Sequence, residues 1–162
     1  MMFLLDTNVF LEAKNRYYGF DFAPGFWSWL DTAFERSLIC SVKHVQDELS
    51  KHDDEIATWV RQRGDFFKEI DQQTAEQFTP LSQWAASREF RRSAILEFTP
   101  VNTDFLLIAY AKAHNHTVVT LEKPSNSKKN VKIPDACAAL DVPIINTFDM
   151  LRRTGARLIS EN

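Results

Sequence analysis

Five carboxylates fall where an α/β protein would place working groups. Asp6 ends the apolar run FLLD, and Glu48 lies one turn after His44 in VKHVQDELSKH. Asp104 opens DFLLIAYA, Glu122 directly follows TVVTL, and Asp135 follows Pro134 in IPDACAALD. Each has an ordinary explanation, as a helix cap or as a complement to a helix dipole. Gathered at one place they would do more. Carboxylates within about 4–6 Å of one another repel, and one of them takes up a proton. A hard divalent cation removes that repulsion. Mg²⁺ or Mn²⁺ prefers oxygen ligands and keeps several waters for phosphate oxygens. Such ions can activate water and stabilise the leaving oxygen in phosphodiester hydrolysis.

The elements must bring these acids together. FLLD reads as a short buried strand, and TNVFLEAKNR as a helix begun near Thr7 or Asn8. LICS (38–41) is a second strand, after which Ser41 is expected to cap a helix. On that helix Val42, Val45 and Leu49 form an apolar stripe at about 100° per residue. Asp47 then points to solvent, while Glu48 sits at the edge of the buried face. From Asp53 to about Leu96 the text reads as charged helices, with Pro80 at a break or a start. Asp104 begins an almost wholly apolar helix for which Thr103 is the expected cap. TVVTL (117–121) and VPIIN (142–146) are strands by their β-branched content. Between them EKPSNSKKNVK reads as a mobile polar loop, and IPDACAALD as a short helix with Pro134 in its first turn. The final helix, TFDMLRRTG, stops at Gly155.

Short buried strands alternating with helices imply an α/β fold. We expect a three-layer α/β/α domain with a short parallel central sheet, extra helices in the middle of the chain, and one domain over 1–162. Ligand sites in such sheets lie beyond the carboxyl ends of the strands. The 162 residues are 44% hydrophobic and 25% charged, including 13 Phe and 4 Trp, which suits an aromatic-rich core. Trp27, Trp29 and Trp84 are read as core rather than as stacking platforms. A formal net charge of −3 argues against coating nucleic acid through bulk charge. No apolar run approaches a membrane span, the start lacks a signal peptide's basic region, and a cytoplasmic location is expected. Cys40 and Cys137 sit in apolar contexts with no metal-type spacing, so both read as buried free thiols.

The ordered set of LLDTNVF, a Glu in the helix after the second strand, Asp104 opening an apolar helix, and a VVTxE strand end resembles the PIN domain of metal-dependent ribonucleases. The likeness continues through KPSNSKKNVKIPDAC and INTFDMLR and spans essentially the whole chain. It looks like an uncharacterised prokaryotic PIN-like branch of candidate toxins encoded beside an antitoxin. This resemblance implies that Asp6, Glu48 and Asp104 match the family's acids. Family members commonly place an Asp where Glu122 stands, so either Glu122 or Asp135 completes the site. The expected metal ligands are Asp6, Glu48, Asp104 and Asp135, holding one or two Mg²⁺ or Mn²⁺ ions. Asn8 and Thr120 are the expected polar supports of those acids. Lys123, Lys128, Lys129 and Lys132 would suit RNA phosphates. The implied activity is hydrolysis of single-stranded RNA by metal-activated water, leaving 3′-hydroxyl and 5′-phosphate ends. The implied partners are RNA, a cognate antitoxin and a second copy of the chain, with no membrane.

Two other readings compete. Aspartate-nucleophile phosphatases also place an Asp after strand one, but they need a second Asp two residues on, where this chain has Asn8. A PIN-like module that binds RNA or protein without cutting is the other, kept open by Glu122.

Overall fold

The computed structural model describes residues 1–159. The run FLL forms β1 (Phe3–Leu5), followed by α1 (Thr7–Glu12) and a five-residue π-helical turn (Ala13–Tyr17). Next come α2 (Pro24–Glu35), β2 (Ile39–Val42), α3 (Lys43–Ser50), α4 (Glu55–Arg61) and β3 (Phe67–Lys68). The middle holds α5 (Gln72–Ala75), α6 (Phe78–Ser87) and α7 (Arg92–Glu97), and leads into the long α8 (Thr103–His114). β4 (Thr117–Val119), α9 (Ile133–Ala139), β5 (Ile144–Ile145) and α10 (Thr147–Arg153) complete it.

The five strands are all parallel, in the order β3-β2-β1-β4-β5. Parallel neighbours need crossovers, and these are right-handed almost without exception. The connections from β1 to β2 and β2 to β3 run one way along the sheet, so α2 and α4 cover one face. The connections from β3 to β4 and β4 to β5 run the other way, so α8 and α9 cover the opposite face. The two directions part between β1 and β4, where both strands leave their carboxyl ends side by side. This is an α/β fold, as the alternation of strands and helices predicts.

The core follows from burial on both sheet faces. Leu4, Leu5, Ile39, Cys40, Val118 and Val119 are fully buried strand residues. On one face Phe10 of α1 meets Trp59, Phe66 and Phe67 with ring centroids 6.0–6.1 Å apart. On the other, α8 is buried from Phe105 through Ala111, which fits its apolar sequence. Trp27 lies in the core, while Trp29 and Trp84 pack against its edge. Both cysteines are buried and unpaired, and burial pushes each thiol up to about 12.

Three local expectations are corrected. The charged middle is not wholly helical: Phe67–Lys68 pairs with Ser41–Val42 as the sheet edge. Ser41 lies within β2 and caps nothing; its hydroxyl donates to the Leu5 carbonyl at 2.7 Å. Thr103 is not the cap of α8. That role falls to Asn102, whose side chain accepts from the Phe105 N–H at 2.9 Å. Asp47 is exposed as expected and pairs with Lys43 at 3.8 Å. The segment 121–132 has no regular structure, but its Lys128 carbonyl accepts from the Arg91 N–H at 2.8 Å.

Phe10 is buried at the centre of its aromatic cluster. Replacing it with Ala should cost about 3–5 kcal/mol in urea denaturation. Asp47→Ala should stay within about 0.5 kcal/mol of the native chain.

Candidate functional site

Four of the five acids meet at the carboxyl edge of the sheet, where β1 and β4 part. Asp6 follows β1 directly and is only 2% exposed. It occupies the cap position of α1 without the side-chain hydrogen bond of a capping residue. Its carboxylate instead accepts from the Thr120 hydroxyl at 3.0 Å, just beyond the end of β4. Burial, then Asp104, then Glu122 push its pKa up to about 8, against the pull of Thr120 and the Thr7 N–H. Asp104, in the first turn of α8, is raised to about 6 by burial, Glu122 and Glu48, with Lys132 opposing. Among the described residues no hydrogen bond reaches the Asp104 carboxylate.

Glu48 approaches from α3. Its carboxylate is exposed, yet two threonine hydroxyls hold it: Thr103 donates to Oε1 at 2.6 Å and Thr7 to Oε2 at 3.0 Å. Each of these threonines is a chain neighbour of another acid, Thr7 of Asp6 and Thr103 of Asp104. Sequence reasoning assigned them to capping and missed this role. Their position beside the acids was the available signal.

Glu122 lies beyond β4. Its backbone N–H donates to the Thr120 hydroxyl at 3.1 Å, and its Oε2 accepts from the Ile133 N–H at 2.9 Å. The longer side chain thus reaches the first turn of α9 while its charge acts on Asp6 and Asp104. Asp104, Glu122 and Lys132 line a recess of about 210 Å³ together with Glu97, Asn102 and Asn130. Lys132, one of the candidate phosphate contacts, is the cation whose charge acts on Asp104.

The remaining candidates lie elsewhere. Asp135 accepts from the Ser125 N–H at 3.3 and 3.4 Å, so it secures the 121–132 segment, and it lines a different groove with Trp84 and Arg88. Lys128 also lines that second groove. Lys129 is exposed, with its N–H donating to Ser127. Asn8 makes no hydrogen bond to Asp6. It is exposed and borders a cleft of about 900 Å³ that Lys123, Thr120 and Glu122 also line. Of the two expected supports, only Thr120 touches an acid.

The donor set is one of hard oxygens whose mutual repulsion raises two pKa values, with Lys132 as the cation opposing it at Asp104. That chemistry suits a divalent cation. The arrangement is not a closed cage: among the described residues no group of three or more His, Cys, Asp or Glu stands ready to hold a metal ion. Nor is any described helix long and apolar enough to cross a membrane.

One family model matches residues 3–158 of the chain. The chain belongs to DUF4411, a domain of unknown function. No curated protein matches the DUF4411 chain. Its fold is similar to a chain of VapBC2 from Rickettsia felis, solved bound to a DNA fragment from the promoter, with a TM-score of 0.58 at 16% identity. That match covers 90% of this chain and 98% of the other. A chain of FitAB bound to an IR36 DNA fragment gives 0.54 at 18% identity, covering 90% and 94%. FitAcB from Neisseria gonorrhoeae gives 0.53 at 17%, covering 91% and 99%. The DUF4411 chain therefore has the PIN-like fold that its sequence resembles.

In the folded chain Asp6 keeps its proton up to about pH 8, whereas the unfolded value is 3.8. Folding takes up a proton between those values, so stability falls as pH rises through that window without metal. Asp6→Asn should therefore stabilise the metal-free chain by roughly 2–4 kcal/mol above about pH 8. Near pH 4 the two should melt alike.

Proposed function

We propose that this chain is a divalent-metal-dependent endoribonuclease of single-stranded RNA, and the toxin of a toxin–antitoxin pair. The observation carrying this reading is the electrostatic coupling of Asp6, Asp104, Glu122 and Glu48 at the parting of β1 and β4. A buried Asp at about 8 beside another at about 6 is a poor arrangement for stability alone. The antitoxin reading draws on the PIN-like resemblance. It also draws on the solved neighbours, of which VapBC2 was captured on a fragment of promoter DNA.

Asp6, Asp104 and Glu122 would hold the ion, with Glu48 beside them. Bound Mg²⁺ or Mn²⁺ would supply a lowered water pKa and Lewis-acid stabilisation of charge on the phosphate. The chain's own side chains do the rest. Thr120 fixes the Asp6 carboxylate, and Thr7 and Thr103 fix Glu48, so the acids face the phosphate without rotamer searching. Lys132 offers an ammonium to a phosphate oxygen at the recess. Asp135 serves the fold of the 121–132 segment rather than the metal.

A non-catalytic binding module is the second reading. It is favoured by the absence of a preformed three-ligand group among the described residues and by the engagement of Glu122 with α9.

Cleavage of a mixed single-stranded RNA pool with Mn²⁺ or Mg²⁺ separates the two. The nuclease reading expects cleavage that chelation stops and that Asp104→Asn slows at least about 100-fold, or roughly 2.7 kcal/mol. Mn²⁺ titration by calorimetry should lose its signal with Glu122→Gln and keep it with Asp135→Asn. Thr120→Val should weaken Mn²⁺ affinity by about 10–100-fold. No metal binding and no cleavage by the native chain would establish the binding module instead.

A further inference from the structure

The 900 Å³ cleft runs from the acid cluster across the ends of β4 and β5 to α10. Thr120 and Glu122 form its wall on the acid side, and Asn8 borders it there. Its far side is built differently. The Tyr18 N–H donates to the Ala13 carbonyl at 2.7 Å, five residues back, closing the π-helical turn that ends α1. Such single turns are rare and often mark functional positions. This one carries Arg16 and Tyr17, both of which line the cleft.

Tyr17 is 44% exposed, one of two exposed aromatics among the described residues, the other being Phe22 at 66%. Phe148, from the first turn of α10, meets it edge-on at 5.0 Å between centroids and 90° between planes. That contact fixes the Tyr17 ring and leaves it solvent-facing. Glu12 and Asp149 also line the cleft, but Glu12 pairs with Arg16 at 3.3 Å and Asp149 with Arg152 at 3.0 Å. Lys123 and Arg153 line it and have no acidic partner among the described residues.

An exposed, buttressed aromatic, two uncommitted cations and a carboxylate wall at one end form a combination suited to one ligand class. Unpaired bases offer π faces for stacking, and their phosphates take the cations. Paired bases offer no such faces. A volume of 900 Å³ lies within the range of ligand clefts. We infer that this cleft receives unpaired nucleotides of RNA next to the scissile phosphate, with a base on Tyr17 and phosphates at Lys123 and Arg153. The inference rests on the nuclease reading for its substrate, and it assigns the strand a direction away from the acids, over β5. The second groove, with Trp84, Arg88 and Phe90, lies on the other side of the 121–132 segment and is not on this path.

The test is fluorescence anisotropy of a short unpaired oligoribonucleotide, in the Asp104→Asn background and without divalent metal. Tyr17→Ala should weaken binding by about 5–100-fold, the range of one lost stacked base. Tyr17→Phe should restore it, which a purely structural effect on the turn would also permit. Arg153→Gln is therefore measured as well, and should lower the salt slope by about one. Arg88→Gln should bind as the parent does, and duplex RNA should not compete. Tight binding untouched by Tyr17→Ala and Arg153→Gln, or weakened instead by Arg88→Gln, overturns the cleft and leaves the nuclease standing. Binding that needs Tyr17 and Arg153, in a chain whose native form never cleaves, keeps the cleft and overturns the nuclease. No RNA binding at all overturns the cleft, whatever the cleavage assay reads.

Discussion

Burying one carboxylate at the parting of two strands is the constraint around which this chain is organised. Asp6 cannot move: β1 fixes its backbone, whose N–H donates to the Val119 carbonyl at 3.1 Å, and Thr120 holds its side chain. Both partners come from the end of β4. The acid therefore ties the sheet together where its winding direction reverses. Hydrophobic burial of Leu4, Leu5, Val118 and Val119 brings the strands together, but it is indifferent to what stands at their ends. The carboxylate there opposes folding through desolvation, and neighbours of like charge add to the cost. A fold that tolerates this has spent part of its margin on a feature that packing does not require.

The threonines distribute that tension. Thr7 and Thr103 each sit next to an acid in the chain and reach across to a third acid, Glu48, from different elements. The result is a bridge through one carboxylate that links α1, α3 and α8. Displacing α3 loosens Glu48, and with it the hydroxyls beside Asp6 and Asp104. Asn102 makes this arrangement available by capping α8 itself, which frees the Thr103 hydroxyl. Ser41 contributes in the same manner on the neighbouring strand, bonding across to β1 instead of capping its own helix.

Much of the fold was legible because periodicity and burial agree. Short β-branched or leucine-rich runs became strands, and the apolar text after Asp104 became a buried helix. The edge strand Phe67–Lys68 was not legible, since two residues inside charged helical text carry no period. Capping was the weakest inference: Ser41, Thr103 and Thr7 all had the right type and place, and their hydroxyls went elsewhere. A side chain's choice between its own helix and a neighbouring element is decided by tertiary distance, which sequence spacing does not contain. The same limit applied to Glu122 and Asp135. Glu122 stands just past β4 and Asp135 in the first turn of α9, and the path of the 121–132 segment between them places one near Asp104 and the other beside Ser125.

The hydrogen bond from Thr120 to Asp6 joins residues 114 positions apart. During synthesis the first acid leaves the ribosome long before the groups that hold and perturb it. Until β4 has emerged and slid in beside β1, the carboxylates are scattered along an open chain and have no common site.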